Sequence, residues 1–228
     1  MRSAFRSIAA CLAVLPAFAL AAPPFVMNCQ TISQPGSYVL TRNLSANGDC
    51  IVIASDFVTL DLAGFVITGS AAGPGAGIRE SAGVPFPGYR GVVIRNGNVT
   101  KFSDGISFFN SVGVTVENVN ASFNTNNGML LGQRATVRAS RADENGGNGI
   151  EVGIGSSLTG NTVGRNTRTG IVADEGAIVV NNEARNNQMD GISMDCPGAA
   201  VANTAGNNLG TNLTQINGSC VSDHNSTL

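Results

Sequence analysis

Apolar and polar positions alternate in short runs that recur along the chain at a fixed step. Glycine–apolar pairs begin at Gly128, Gly149, Gly170 and Gly191, which is a step of about 21 residues. An earlier pair, at Gly105, precedes this series by a slightly longer step. Each pair opens an alternating run such as Gly170 to Ala173, and a turn and a second short apolar segment follow. Alternation at every second residue over so few positions predicts very short β-strands, and no stretch has the period of a helix.

Asparagines repeat at the same step in two further registers. The first register consists of Asn124, Asn145, Asn166, Asn187 and Asn208. The second has Asn161, Asn182 and Asn203 at the same spacing, with Ser140, Asn118 and Asn96 extending it backwards. Asparagine tolerates the left-handed backbone of a sharp corner, and stacked side-chain amides can hydrogen-bond in a ladder. Since a period of about 20–50 residues marks a solenoid, both registers are predicted to form structural ladders at its corners.

Two segments carry a resemblance to a known family. GNTVGRNTRTGIV (Gly160 to Val172) and VTLDLAGFVITG (Val58 to Gly69) resemble repeats of right-handed parallel β-helix proteins of the pectate-lyase-like, bacterial exported type. The resemblance covers about Cys29 to Leu213 and implies an all-β, single-stranded solenoid. With a period of about 21–23 residues, we expect about seven coils. A leucine-rich repeat has a similar period, but its Leu-x-x-Leu-x-Leu frame is absent.

The N-terminus predicts export. Arg2 and Arg6 precede an apolar run, and the small residues Ala19 and Ala21 suit signal peptidase, so cleavage is expected after Ala21. A lipoprotein box ending at Cys11 is the weaker alternative, because the apolar stretch before it is too brief. We therefore predict a secreted or periplasmic protein. Its segments are a signal peptide at 1–21, an N-terminal cap and first coil at 22–57, repeats at 58–213 with a Pro/Gly-rich lateral loop at 69–91, and a cap or tail at 214–228.

The cysteines other than Cys11 form one pair near each end of the repeats. In an oxidising compartment they predict the local disulfides Cys29–Cys50 and Cys196–Cys220; pairing between the two ends, or free thiols, are the alternatives. No Cys-x-x-Cys spacing occurs and His224 is the only histidine, so no metal site is predicted from these residue types.

Charge argues against two classes of partner. Loss of Arg2 and Arg6 leaves 11 basic against 15 acidic residues, a net charge near −4. Lys101 is the only lysine, so the mature chain has no polybasic patch for nucleic acid. No later segment is apolar enough to span a membrane.

Outward positions of the Gly–apolar strands predict two columns of side chains on one face. The first column contains Arg79, Ser107, Leu130, Glu151, Val172 and Ser193. The second contains Phe109, Gly132, Gly153, Asp174 and Asp195. Asp174 and Asp195 should stack about one strand apart, with Glu151 on a diagonal. Carboxylates at so short a distance either raise the pKa of one of them or attract a cation. These three residues are therefore the candidate catalytic or calcium-binding set. The alternative is that they only keep the exposed face soluble.

Four further residues are candidates for binding a sugar polymer. Tyr89 and Arg79 lie in the predicted lateral loop, where Tyr89 would serve as a stacking platform on a groove wall. Arg168 and Arg141 could hold anionic sugars through forked hydrogen bonds, or simply balance the acids. Asp104 and Asp190, which directly precede Gly105 and Gly191, are predicted to cap turns.

The family resemblance implies polysaccharide-related work, because lyases, hydrolases and epimerases of uronate-rich polymers often use this fold. Their motifs do not transfer: the Asp-Pro-His-Asp of mannuronan epimerases, the arginine signature of pectate lyases and the aspartate–histidine set of polygalacturonases are all absent. We therefore expect a noncatalytic protein that binds polysaccharide or scaffolds a cell-surface or periplasmic assembly. The alternative is a small polysaccharide lyase, hydrolase or epimerase acting on acidic glycans. No cofactor is expected, with calcium the one cation considered. The expected partner is a polysaccharide or a cell-envelope component.

Overall fold

The chain winds as a right-handed parallel β-helix. The computed structural model describes residues 24–70 and 73–228, so the predicted signal peptide and Cys11 lie outside the described residues. All the regular elements of the described part are β-strands, and every pairing between them is parallel. The all-β solenoid predicted from the repeats is therefore confirmed. In residues 24–70 and 73–228, no helix is long and apolar enough to cross a membrane.

Each coil contributes short strands to three faces. The first face is a nine-stranded sheet of Gln30–Ile32, Ile51–Ile53, Ala76–Glu80, Asp104–Phe108, Met129–Leu131, Ile150–Val152, Ile171–Ala173, Ile192–Asp195 and Leu213–Ile216. The second face contains Phe25–Val26, Gly36–Leu40, Val58–Asp61, Thr136–Arg138, Ser157–Thr159, Ile178–Val180, Ala199–Val201 and Val221–Asp223. The third contains Leu44–Ser45, Val66–Thr68, Arg141–Asp143, Thr162–Gly164, Glu183–Arg185, Thr204–Gly206 and Ser226–Thr227. Two longer strands pass from the second face to the third: Val93–Thr100 and Thr115–Ser122.

The nine strands of the first face correspond to about nine coils, so the expected seven is too low. From Met129 onwards, strands pair at the predicted step, with Met129 beside Ile150 and Ile150 beside Ile171. Between Ile51 and Ile106 the step is longer, because Ile51 pairs with Ile78, and Ile78 with Ile106. These early coils lack the regular asparagine corners, which is why the sequence pattern underestimated their number.

The segment 69–91, predicted to be one lateral loop, contains a strand of the first face. Ala76–Glu80 pairs with both of its neighbours in that sheet and buries Ile78. A Cβ at Gly77 would collide with Val99 and Gly105, so glycine here allows close coil packing rather than a loop. The prediction is corrected accordingly, and residues 81–91 form the irregular stretch after this strand.

Buried aliphatic side chains fill one continuous core. Val152, Ala173, Ile192 and Met194, the inward residues of the alternating runs, are all at most 2% exposed. The glycine that precedes each Gly–apolar strand is required by a close approach between neighbouring coils. A Cβ at Gly149 would lie 2.7 Å from both Asn166 Nδ2 and Gly170 O in the next coil, so the Gly–apolar repeat reflects tight stacking at this corner.

The asparagines of the first register form a continuous hydrogen-bonded ladder. Each side-chain amide donates to the Oδ1 of the asparagine one coil later, with N–O distances of 2.9–3.0 Å from Asn124 to Asn208. The second register does the same from Asn161 to Asn203, and Asn225 extends it. Because most of these amides are buried, the ladders satisfy polar groups that would otherwise be costly in the core.

The left-handed backbone at each corner belongs to the residue before the ladder amide. Glu144 and Arg165, for example, have φ values of 56° and 54° and precede Asn145 and Asn166. Asn118, with φ 52°, therefore lies one position away from the second ladder, as does Asn96 with φ 61°. Extending that ladder back to these two residues was wrong, because the side chain at the ladder position after Asn118 is Val119.

Two disulfides hold the ends of the described solenoid. Cys29 is bonded to Cys50, and Cys196 to Cys220, with Cα atoms 4.5 and 5.1 Å apart. Each bond joins neighbouring coils, so each fastens a terminal coil to the rest of the rod.

Candidate functional site

A pocket of about 280 Å³ lies on the first face, beside the turns that lead to the second face. Phe86 and Phe109, which are 57% and 62% exposed, line it together with the carboxylates of Glu151 and Asp174. The backbone of Gly132 contributes to the lining between them. The site therefore combines aromatic rings with acidic groups at one concave surface, which is the usual composition of a small-molecule or sugar pocket.

A buried carboxylate ties the segment that carries Phe109 to the loop that carries Phe86. Glu80 is 6% exposed and accepts hydrogen bonds from Asn110 N at 2.8 Å and Ser111 Oγ at 2.5 Å, directly after Phe109. Asn110 in turn donates from Nδ2 to Val84 O at 3.2 Å and accepts from Gly88 N at 2.7 Å, which ties down the loop that carries Phe86. The aromatic part of the pocket is thus fixed before any ligand binds.

The predicted acids come together on the first face. Glu151 pairs in register with Leu130 and Val172 and points outwards, as the column predicted. Burial, followed by the negative charges of Asp195 and Glu151, raises the pKa of Asp174 above its usual value. Glu151 Oε2 also accepts a hydrogen bond from Asn148 Nδ2 at 2.8 Å, which orients its carboxylate.

A fourth acid belongs to the same electrostatic environment. Burial raises the pKa of Asp104, the nearby Glu151 charge adds to this, and hydrogen bonds from Asn127 and Asn126 partly offset it. Asp104 Oδ1 accepts from Asn127 N at 3.0 Å and so caps the turn of the next coil. Asp190 Oδ1 does the same for Thr211 N at 2.7 Å. Across residues 24–70 and 73–228, no group of three or more His, Cys, Asp or Glu side chains is arranged to hold a metal ion.

Tyr89, the predicted stacking residue, does not line the pocket. Its hydroxyl forms a 2.7 Å hydrogen bond with Ser81 Oγ, and its ring packs partly buried against the core. The exposed rings are Phe86 and Phe109 instead. Phe109 stands in the predicted outward column, where an apolar residue next to acids was the available signal. Phe86 lies in the segment 69–91 that was predicted to form a groove wall, but the sequence did not indicate that both rings would line one pocket.

The predicted arginines do not line the acidic pocket. Arg79 Nη1 pairs with Asp49 Oδ2 at 3.2 Å, so its guanidinium is already engaged. Arg168 lies exposed in the turn before Ile171–Ala173. Arg141 lies on the third face and forms an ion pair with Asp143, away from the acidic pocket. The described lining of the pocket contains no arginine, and a role of these residues in holding a sugar polymer stays a prediction.

Solved structures with the same fold include proteins of bacteria and phages. The A-module of mannuronan C-5 epimerase AlgE4 of Azotobacter vinelandii superposes with a TM-score of 0.72 at 13% identity, over 86% of this chain and 62% of that one. Dettilon tailspike protein superposes with a TM-score of 0.63 at 15% identity, over 90% of this chain and 54% of that one. A double mutant of the periplasmic alginate epimerase AlgG superposes with a TM-score of 0.61 at 15% identity, over 85% of this chain and 51% of that one. The chain thus spans only half to three fifths of these proteins, and the likeness establishes the fold.

Sequence comparison identifies the family. No curated protein matches the chain in sequence. The family model described as "Right handed beta helix region" matches residues 43–189 and 82–227, which together include most of the described coils. The predicted resemblance is confirmed: this chain belongs to the right-handed β-helix family.

Proposed function

We propose that the first-face pocket binds a polysaccharide and that the protein works as a glycan-recognition or scaffolding module outside the cytoplasm. The observation that carries the proposal is the pair of exposed rings, Phe86 and Phe109, fixed beside the Glu151 and Asp174 carboxylates. An aromatic ring covers the apolar face of a sugar, while carboxylates accept hydrogen bonds from its hydroxyl groups. The disulfides agree with a compartment in which such a polymer is found.

The charge of the pocket selects among glycans. Glu151, Asp174 and the neighbouring Asp195 create a negative field that no arginine of the lining offsets. In a partly desolvated pocket these carboxylates repel the carboxylates of a uronate polymer, so a neutral or basic glycan is favoured. An acidic polymer is accommodated only with a cation such as calcium between its carboxylates and those of the protein.

The similar structures are in keeping with a polysaccharide in general, without favouring a neutral or a basic one. By their names, two of them are epimerases of mannuronan and of alginate, both polysaccharides. At 13–15% identity this likeness speaks for the fold alone, so the pocket itself must support the function.

Hydrolysis is a second candidate function, favoured by the environment of one carboxyl group. Burial and the charges of Asp195 and Glu151 raise the pKa of Asp174, which is what a general acid requires, and Glu151 lines the same pocket. In this candidate Asp174 protonates the glycosidic oxygen and Glu151 activates water, the division of labour found in glycosidases. Elimination from a uronate is less favoured, because no basic side chain of the lining neutralises the substrate carboxylate.

Binding is tested first, on the chain from Ala22 onwards. Affinity electrophoresis and calorimetry against neutral, basic and acidic polysaccharides, with and without calcium, should find a ligand that the Phe86→Ala/Phe109→Ala variant binds at least about tenfold more weakly. Phe57→Ala is the matched control, since Phe57 is 68% exposed but outside the pocket. If the Phe86→Ala/Phe109→Ala variant bound the ligand as tightly as the Phe57→Ala variant, the assignment of this pocket would be overturned.

Turnover then separates the two candidates. New reducing ends and unsaturated products are followed in parallel for the bound polymer. If products appear and are lost in Asp174→Asn and Glu151→Gln while binding persists, the protein is a hydrolase with these two residues at its centre. If the polymer binds without turnover, the recognition module stands.

A further inference from the structure

A second groove runs along the third face of the solenoid. Two adjoining depressions of about 450 and 300 Å³ share Asn98 and Asn120 as lining residues, and the two together are called the groove here. Phe123, 54% exposed, stands at one side of it. This groove contains none of the residues of the first-face pocket.

The groove is lined by a column of two side-chain amides and one guanidinium. Asn98, Asn120 and Arg141 occupy equivalent positions in three consecutive coils, so they lie about 4.8 Å apart along the rod. Within residues 24–70 and 73–228 the Asn98 side chain makes no hydrogen bond. Asn120 Oδ1 accepts one from Ser122 Oγ at 2.5 Å, which leaves its Nδ2 donors available. The groove therefore offers unused donors and acceptors at the repeat of the coils.

One end of the groove is built rigidly. Asn96 Nδ2 donates to both oxygens of Asp61, at 3.1 and 3.2 Å, and Asn118 Nδ2 donates to Asn96 Oδ1 at 3.2 Å. Gly64 N donates to Asn96 O at 2.7 Å, which fixes the turn that forms this wall. The amides at this end are thus engaged with the protein, in contrast to Asn98.

The opposite end is closed by an ion pair. Arg141 binds the Asp143 carboxylate, and Arg165, which approaches the same carboxylate at 3.3 Å, also pairs with Glu144 Oε1 at 2.9 Å. The charge of Arg141 is thereby balanced within the protein. The groove is polar without a net charge of its own, which sets it apart from the acidic pocket on the first face.

We propose that this third-face groove is a second glycan-binding site, which takes a neutral oligosaccharide lying along the solenoid axis. Amides serve sugar hydroxyls as donor and acceptor at once, and the Phe123 ring can cover the apolar face of a sugar at the edge. The coil spacing is close to the length of one pyranose unit, so successive sugars meet equivalent positions. A glycan bound here and another in the first-face pocket would let one molecule hold two chains, with a gain in avidity.

The test uses a protein in which the first-face pocket is already disabled. In the Phe86→Ala/Phe109→Ala background, calorimetry is performed with linear hexasaccharides of glucose, mannose and xylose, and with hexauronate as the charged comparison. At least one neutral hexasaccharide should bind and should shift the side-chain amide NMR signals of Asn98 and Asn120. Asn98→Ala/Asn120→Ala should weaken this binding about tenfold or more, as two lost hydrogen bonds imply.

Controls keep the result interpretable. Thr204→Ala, which lies in the same outward column but outside the groove, should bind like the parent. Phe123→Ala alters an exposed ring, so it should weaken binding without changing the thermal midpoint. No binding of any neutral hexasaccharide, unchanged affinity in the Asn98→Ala/Asn120→Ala variant, or tighter binding of hexauronate would each overturn the proposal. Failure of the first-face pocket is detected separately, by wild-type protein that binds no differently from the background variant.

Discussion

Removing one amide from the middle of the asparagine ladder should destabilise the solenoid strongly. Asn166 Oδ1 accepts from the backbone N and the Nδ2 of Asn145, and Asn166 Nδ2 donates to Ala142 O and Asn187 Oδ1, all at 3.0 Å. Asn166→Ala therefore removes four hydrogen bonds from a residue that is fully buried. At about 1 kcal/mol for each, the free energy of unfolding should fall by about 4 kcal/mol.

The assay is urea unfolding followed by circular dichroism, with a thermal scan alongside. For a chain of this size about 4 kcal/mol corresponds to a decrease in Tm of roughly 8–16 °C. Gln188→Ala is the matched control, because it removes an exposed amide and should change stability by less than about 0.5 kcal/mol. Hydrogen exchange should show lost protection at the Asn145 amide, since that buried N–H loses its acceptor.

A destabilisation of Asn166→Ala that matches Gln188→Ala would refute the reasoning. It would mean that the ladder contributes no more than surface amides do, and that coil stacking rests on the aliphatic core. Loss of exchange protection confined to one coil, without a change in the global transition, would instead indicate that coils open independently, as expected for a nearest-neighbour array.

Two further predictions concern stability. Gly149→Ala should lower the free energy of unfolding by about 1–3 kcal/mol, because its Cβ would lie 2.7 Å from atoms of the next coil. Gly160→Ala should lower it by about 1–2 kcal/mol at most, because Gly160 has a φ of 65° but open space around it. Equal urea midpoints for Gly149→Ala and wild type would contradict the first expectation. Burial raises the pKa of Asp61, but hydrogen bonds from Ala63 N, Asn96 and Arg95 outweigh it and leave the pKa lowered, so the Asp61 carboxylate stabilises the fold at neutral pH and this is lost as pH falls through its folded pKa. Asp174 has the opposite sign: its raised pKa means that ionisation disfavours the fold. Asp61→Asn should therefore lower, and Asp174→Asn raise, the stability at neutral pH, and both differences should vanish in urea titrations below the usual aspartate range; a pH-independent difference would sink the assignment.

Much of the fold could be predicted from the repeats because each repeat has the same pattern of buried, exposed and corner residues. The inward residues Val152 and Ala173 recur at the strand alternation, and the ladder amides recur at the coil step. Where the repeat became irregular, prediction became weaker. Glycine and proline around Ala76–Glu80 predict a loop there, whereas the segment is a strand whose Gly77 allows close coil packing.

The candidate site was predictable only in part. The outward position of Glu151 and the approach of Asp174 to it follow from a fixed register, which needs only the period. That Phe86 and Phe109 line one pocket depends on a loop of irregular length held by Glu80 and Asn110, and no local pattern encodes this arrangement.

The sequence by itself determined the solenoid, its period, the ladder residues and the columns of outward side chains, because parallel stacking converts a linear repeat directly into spatial neighbours. The tertiary structure decided what lies in the pocket, that Tyr89 is engaged within the protein, and that Arg141 lies on a different face from the acids. It also revealed the third-face groove of Asn98 and Asn120. These features arise between coils of unequal length and between faces, where position depends on how the whole chain turns rather than on the spacing of residues along it.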